Sequence, residues 1–176
     1  MTSTKLAVDA LARHTGLPPK RVRAVAVALT EGGLLPPGAP GKSPELYPEH
    51  AITLLIGACL DAPLRAVADT VLAYRALTPG GVSLDGAPHT LRTAGDALDI
   101  FAEIAVRGDS DVLRREMIEV VTSWPEIAIH TDGAAKRFQS VGTLPNHWQA
   151  TGHRKATTIN GAALVDALRE LFKDAA

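Results

Sequence analysis

The stretch His14–Arg23, "HTGLPPKRVR", joins a glycine, two adjacent prolines and three cations, Lys20, Arg21 and Arg23. Three readings compete for it: a solvated linker, a basic address segment, or the start of a helix that meets nucleic acid. The flanks discriminate among them. Upstream, Leu6, Ala7, Ala10 and Leu11 recur at helical spacing over Thr4–His14, with Thr4 as a candidate N-cap. Gly16 then stops the helix, as glycine does where the chain must take a positive φ, and Leu17 is expected to point back into a core. Downstream, Pro18-Pro19 suits the first turn of a second helix, where a missing N–H costs no bond. Val22, Val25 or Ala26, and Leu29 form its apolar stripe, while Lys20, Arg21, Arg23, Ala24 and Val27 lie largely off it. Helical stripes on both sides argue against a linker, and an address segment leaves the glycine turn unexplained.

Gly32-Gly33 ends the second helix. The following Leu34–Tyr47, "LLPPGAPGKSPELY", has apolar ends around a Pro/Gly-rich tip, a pattern that predicts two short strands and a turn. Helices are expected from Pro48 to about Leu60 and over Leu64–Leu77, the latter with Asp61 as candidate cap. Thr78–Pro88 reads as a surface loop or linker. Thr90 or Thr93 opens a further helix ending near Gly108. Beyond it, "EMIEVVTSW", "EIAIHT", "KRFQSV" and "HRKATTIN" are strand candidates, with Asp132-Gly133 as a hairpin signal. Asn160 caps a last amphipathic helix, Gly161–Lys173. The expected fold is mainly α with a small α+β tail. An N-terminal winged helix-turn-helix with supporting helices occupies residues 1–77, and an α+β assembly or partner-binding domain occupies 78–176.

The 176 residues are 46% apolar, enough for a substantial core, but only 4% aromatic. An interior rich in Ala, Leu and Val favours helix. The single cysteine, Cys59, lies in the apolar run Ala51–Leu60 and reads as a small core residue. No stretch reaches the roughly 18 apolar residues that span a bilayer, and no secretory signal opens the chain, so a cytoplasmic protein without membrane contact is expected. Net charge is −1, but its distribution is uneven. Residues 1–47 carry six Lys/Arg against three Asp/Glu, and residues 48–113 carry four against nine. A basic head of this kind can meet phosphates although the whole chain is slightly acidic.

Two short helices joined by a glycine turn and followed by a Gly/Pro-tipped hairpin describe a winged helix-turn-helix. The first helix sets the angle of the second, whose N-terminal residues reach base edges in the major groove. The segments "LARHTGLPPKRV", "EGGLL" and "GKSPELY" resemble the winged helix-turn-helix class of MerR-type regulators, excisionases and small terminase subunits of lambdoid phages. That resemblance covers about the first third of the chain. The whole chain, with "TTINGAALVDAL", is also similar to uncharacterised DNA-binding proteins of alphaproteobacterial phages. The resemblance implies a DNA-contacting surface of His14, Thr15, Pro19, Lys20, Arg21, Arg23, Ala24 and Val27, with Lys42 and Ser43 at the wing tip. It implies double-stranded DNA as partner and a sequence-specific transcriptional regulator, a phage or phage-derived repressor acting as a homodimer. A packaging or recombination factor and a protein-binding adaptor or antirepressor, with a phage or host protein partner, are the alternatives. The second helix departs from the class in having no Asn, Gln or Ser after Arg23 for base hydrogen bonding. The long coiled coil and effector site of MerR proteins proper are also not visible.

No nucleotide loop, nucleophile elbow or zinc spacing occurs, and His130, His147 and His153 do not match metal-ligand patterns. No catalytic residue, metal or cofactor is therefore assigned, and no enzyme activity is expected. Arg154-Lys155 with His147, Trp148 and His153 forms a second basic-aromatic patch. The apolar positions Leu54, Leu55, Cys59, Leu64, Val67, Val71 and Leu72 read as core, with part of them available to a dimer interface.

Overall fold

A computed structural model of the chain describes residues 2–39, 44–88, 90, 92–144 and 152–173. Helix α1 spans Thr4–Thr15, capped by Ser3 rather than Thr4, and α2 spans Pro19–Glu31. Helix α3 is Pro48–Cys59. A single 3-10 turn at Leu64–Ala66 leads into α4, Val67–Arg75. Strand β1 is Thr78–Pro79 and α5 is Ala94–Arg107. Strands β2 (Met117–Val121), β3 (Glu126–Thr131) and β4 (Ala134–Gln139) form a meander, and β5 (Ala156–Asn160) runs straight into α6, Gly161–Leu171.

All pairings are antiparallel, and the strand order is β1-β4-β3-β2-β5. Alternation along the strands sorts the sheet into two faces. Ile118, Val120, Ile127, Phe138 and Ile159 are buried in the main core together with residues of every helix. Glu119, Glu126, His130, Arg137 and Gln139 fall on the opposite face, by the parity of the register. The β3–β4 turn has Asp132 at φ 42° and Gly133 at φ 84°, two positive values that match the twist a tight hairpin requires.

This architecture overturns the expected fold class. The chain is about 48% helix and 16% strand, with a five-stranded antiparallel sheet and helices interleaved with strands. It is not a helical winged head carrying a small tail. The two strands expected within Leu34–Tyr47 are not formed among the described residues, where only Ala39 makes an isolated bridge between α2 and α3. The backbone N–H groups of Leu34 and Leu35 both donate to Leu29 O, closing off the end of α2. Pro36 and Pro37 then have no N–H to offer a ladder. The apolar ends mistaken for strands are core anchors: Leu35 and Leu46 are buried, and Leu46 N donates to Thr2 O. The expected wing tip, Lys42 and Ser43, lies outside the described residues.

The loop expected at Thr78–Pro88 starts instead with strand β1, which extends the sheet beside β4 through the pairs Thr78–Gln139 and Pro79–Phe138. Proline is tolerated there because β1 is an edge strand. Helix α6 folds back onto α1, and α5 packs on α3, so the helices of 1–77 and the sheet-bearing segment share one buried cluster. Thr2 Oγ1 donates to Leu171 O at 2.5 Å and ties the two ends of the chain together. In the α3–α4 stripe, Leu54, Leu55, Cys59, Val67 and Val71 are buried within the chain, whereas Leu64 and Leu72 are exposed. Burial pushes the Cys59 thiol up to about 12, so it remains a protonated core group.

Candidate nucleic-acid interface

The turn between α1 and α2 is built from its residue types. Gly16 takes φ 73°, and its N–H returns to Ala12 O. Thr15 Oγ1 donates to Leu11 O at 2.6 Å, and Leu17 is buried beneath the turn. Pro18 precedes the helix at φ −59°, and Pro19 occupies its first turn. Val22, Val25, Ala26 and Leu29 then face the core. At 100° per residue, Lys20, Arg23, Ala24 and Val27 share the opposite line. Lys20 and Arg23 are exposed, Val27 is 55% exposed, and Ala24 is half-buried. Neither Lys20 nor Arg23 makes an ion pair or side-chain hydrogen bond with a described residue.

The other expected contact residues are placed differently. Arg21 turns away from that line and donates from Nη2 to Leu60 O at 2.7 Å and Ala62 O at 2.9 Å. It thereby satisfies carbonyls just past the end of α3, where helix acceptors lack intrahelical partners. His14 Nε2 lies 2.8 Å from Glu170 Oε2 of α6, and Arg13 forks onto the same carboxylate at 2.9 and 3.0 Å. The His14 hydrogen bond, with Arg13 beside it, holds the Glu170 carboxyl below the usual carboxylate range. The structure thus brings Lys20, Arg23, Ala24 and Val27 together, and sets Arg21 and His14 against other elements of the same chain. Beside Arg23 and Val27 opens a mostly apolar cavity of about 430 Å³ that reaches Val8, Ala26 and Pro36.

A dense charged cluster lies on the outer face of the sheet. Glu126 is only 1% exposed. Its Oε1 accepts from Arg137 Nη1 at 2.6 Å and Arg154 Nη2 at 2.8 Å. Its Oε2 accepts from Gln139 Nε2 at 2.7 Å and Trp124 Nε1 at 3.2 Å. Burial alone would raise its pKa, but these four donors outweigh burial and bring it down to about 2. Glu119 is treated the same way: burial raises its pKa, and bonds from Arg154 and His130 bring it below the usual range. The Arg154 guanidinium also lies 5.3 Å from the centre of the Trp124 ring. A carboxylate with all its lone pairs engaged and a pKa near 2 cannot donate a proton near neutral pH. The cluster is therefore an internal anchor for the segment that carries Arg154.

Sequence reasoning placed Arg154 and Lys155 in a surface patch. Arg154 is instead the partner of two carboxylates, and Lys155 pairs with Asp61. His147 and Trp148 of that patch lie outside the described residues. The overlooked signal was the acidic residues within strands: Glu119 and Glu126 sit where two apolar strands pair, and a carboxylate there needs cationic partners. Comparison with protein-family models, with curated proteins and with solved structures finds no match.

Proposed function

We propose that the protein binds double-stranded DNA through the exposed line of α2 and acts as a regulator without catalytic chemistry of its own. The observation that carries this reading is the pair Lys20–Arg23, two exposed cations one helical turn apart, unpaired by any described residue and set at the start of α2. The positive end of the α2 dipole adds to their attraction for phosphate. Val27, one turn further on, offers an apolar contact of the kind that meets a thymine methyl. In this reading α2 is the contact element each chain contributes, and a homodimer reading two half-sites is the functional unit.

Fluorescence anisotropy of a labelled duplex from upstream of the protein's own gene, titrated across a salt series, tests this. Lys20→Ala with Arg23→Ala is expected to weaken binding and lower the salt slope by about 2, roughly one per lost phosphate contact. Wild-type binding insensitive to salt, or an unchanged double variant, overturns the reading. Solution mass separates a regulatory dimer from the larger ring of a packaging subunit. The apolar cavity beside Arg23 and Val27 favours one second reading, a protein-binding adaptor that uses the same face. No DNA binding at low salt by a folded protein favours the adaptor.

A further inference from the structure

A lysine on the sheet face that packs against helices needs an explanation. Lys136 is in that position: it shares the face of Phe138, pairs across the strands with Ile129, and holds its Nζ 5.1 Å from the centre of the Phe138 ring. The reason is a gap between α5 and the sheet. Helix α5 buries Leu98, Phe101, Ala102 and Ala105, but Ile100 and Ile104 are each 40% exposed. These two isoleucines, one turn apart, form with Phe101 and Ile129 the apolar floor of an open cavity of about 290 Å³. Lys136 and Arg92 stand in its lining, and neither has an ion-pair partner among the described residues. Glu116 is the one acidic residue among the described residues of the lining, and its Oε1 already accepts from Thr131 Oγ1 at 2.9 Å.

We propose that this cavity binds a small amphipathic monocarboxylate, with its hydrocarbon body on Ile100, Phe101, Ile104 and Ile129 and its carboxylate between Arg92 and Lys136. The apolar floor selects a hydrocarbon body, since open isoleucine surface is covered with a gain from removing it from water. Two unpaired cations against one engaged carboxylate select an anionic head. The volume, at the lower edge of the ~300 Å³ typical of small-molecule sites, selects a compact ligand. The site is independent of the α2 surface and stands or falls without it.

Isothermal titration of the full chain with sodium octanoate, octylamine and octanol reads the proposal directly. Octanoate is expected to bind with one site per chain, and octanol and octylamine much more weakly. Lys136→Met and Arg92→Gln, both at exposed positions, are each expected to weaken octanoate binding about tenfold, the loss of one charge-assisted hydrogen bond. Ile104→Ser is expected to weaken octanoate and octanol alike. Circular dichroism of each variant establishes that it is folded. Octanoate failing to bind, octylamine binding as tightly as octanoate, or both charge variants binding like wild type each overturns the site.

Discussion

Glu126→Gln isolates what the outer-face cluster does for the fold. The substitution keeps the shape of the side chain and removes one oxygen acceptor and the charge. Both carboxylate oxygens of Glu126 face two donors each, Arg137 and Arg154 at one and Gln139 and Trp124 at the other. Whichever way the amide is turned, its NH2 group therefore meets two donors and no acceptor. The folded-state pKa of about 2 lies below the ordinary 4.5. That difference corresponds to ~3 kcal/mol of stability at pH 7, at about 1.4 kcal/mol per unit. Because the folded value is the lower one, this stability is fully present above about pH 4.5 and is lost as pH falls toward 2. At pH 3 roughly 1.5 kcal/mol of it should remain. Urea unfolding of wild type and variant at pH 7 and pH 3 measures both numbers. The variant should be ~3 kcal/mol less stable at pH 7, and the gap should narrow by about half at pH 3. Glu119 titrates in both proteins, which is why the difference between them is the quantity to follow. A gap under ~1 kcal/mol at pH 7, the range of exposed ion pairs, would refute the buried four-donor geometry. So would a gap that does not change with pH.

Two further substitutions test placements that the sequence alone leaves open. Arg21→Ala removes the donor to Leu60 O and Ala62 O and should cost about 1–3 kcal/mol in urea unfolding, while Lys20→Ala one position earlier should stay within ~0.5 kcal/mol; equal effects would mean Arg21 is not capping α3. Gly161→Ala would ordinarily strengthen a helix, by up to ~1 kcal/mol. Here a Cβ would stand 2.6 Å from Glu116 O and closer still to Leu113 O, so a loss of about 3 kcal/mol or failure to fold is expected; a stabilised variant would place the β5–α6 junction elsewhere.

Local pattern and non-local contact divide the legibility of this chain. The cap Asn160, the Asp132-Gly133 hairpin and the strands from Met117 onward are legible because each depends on a few consecutive residues, and the same local pattern narrows the α5 cap to Thr90 or Thr93, of which the fold uses Thr93. The expected wing shows the limit of such local patterns: apolar ends around a Pro/Gly tip look alike whether the ends pair with each other or anchor separately in a core. Thr78–Pro79 is a strand through its pairing with the last two residues of β4, a non-local contact that no window around Thr78 reveals. The cations carry the argument furthest. Helical periodicity correctly separates Val22, Val25 and Leu29 from Lys20 and Arg23, but it cannot tell Arg21 from Arg23. Both lie off the apolar stripe, and only the return of α3 to α2 turns Arg21 into a cap and leaves Arg23 in solvent. Arg154 repeats the case, since the pairing of β5 and β3 with β2 is what puts Glu119 and Glu126 beneath it. A basic residue in this sequence is thus a donor whose acceptor is set by topology. The functional reading of α2 accordingly rests on Lys20 and Arg23, the two cations of that helix for which the described chain supplies no acceptor.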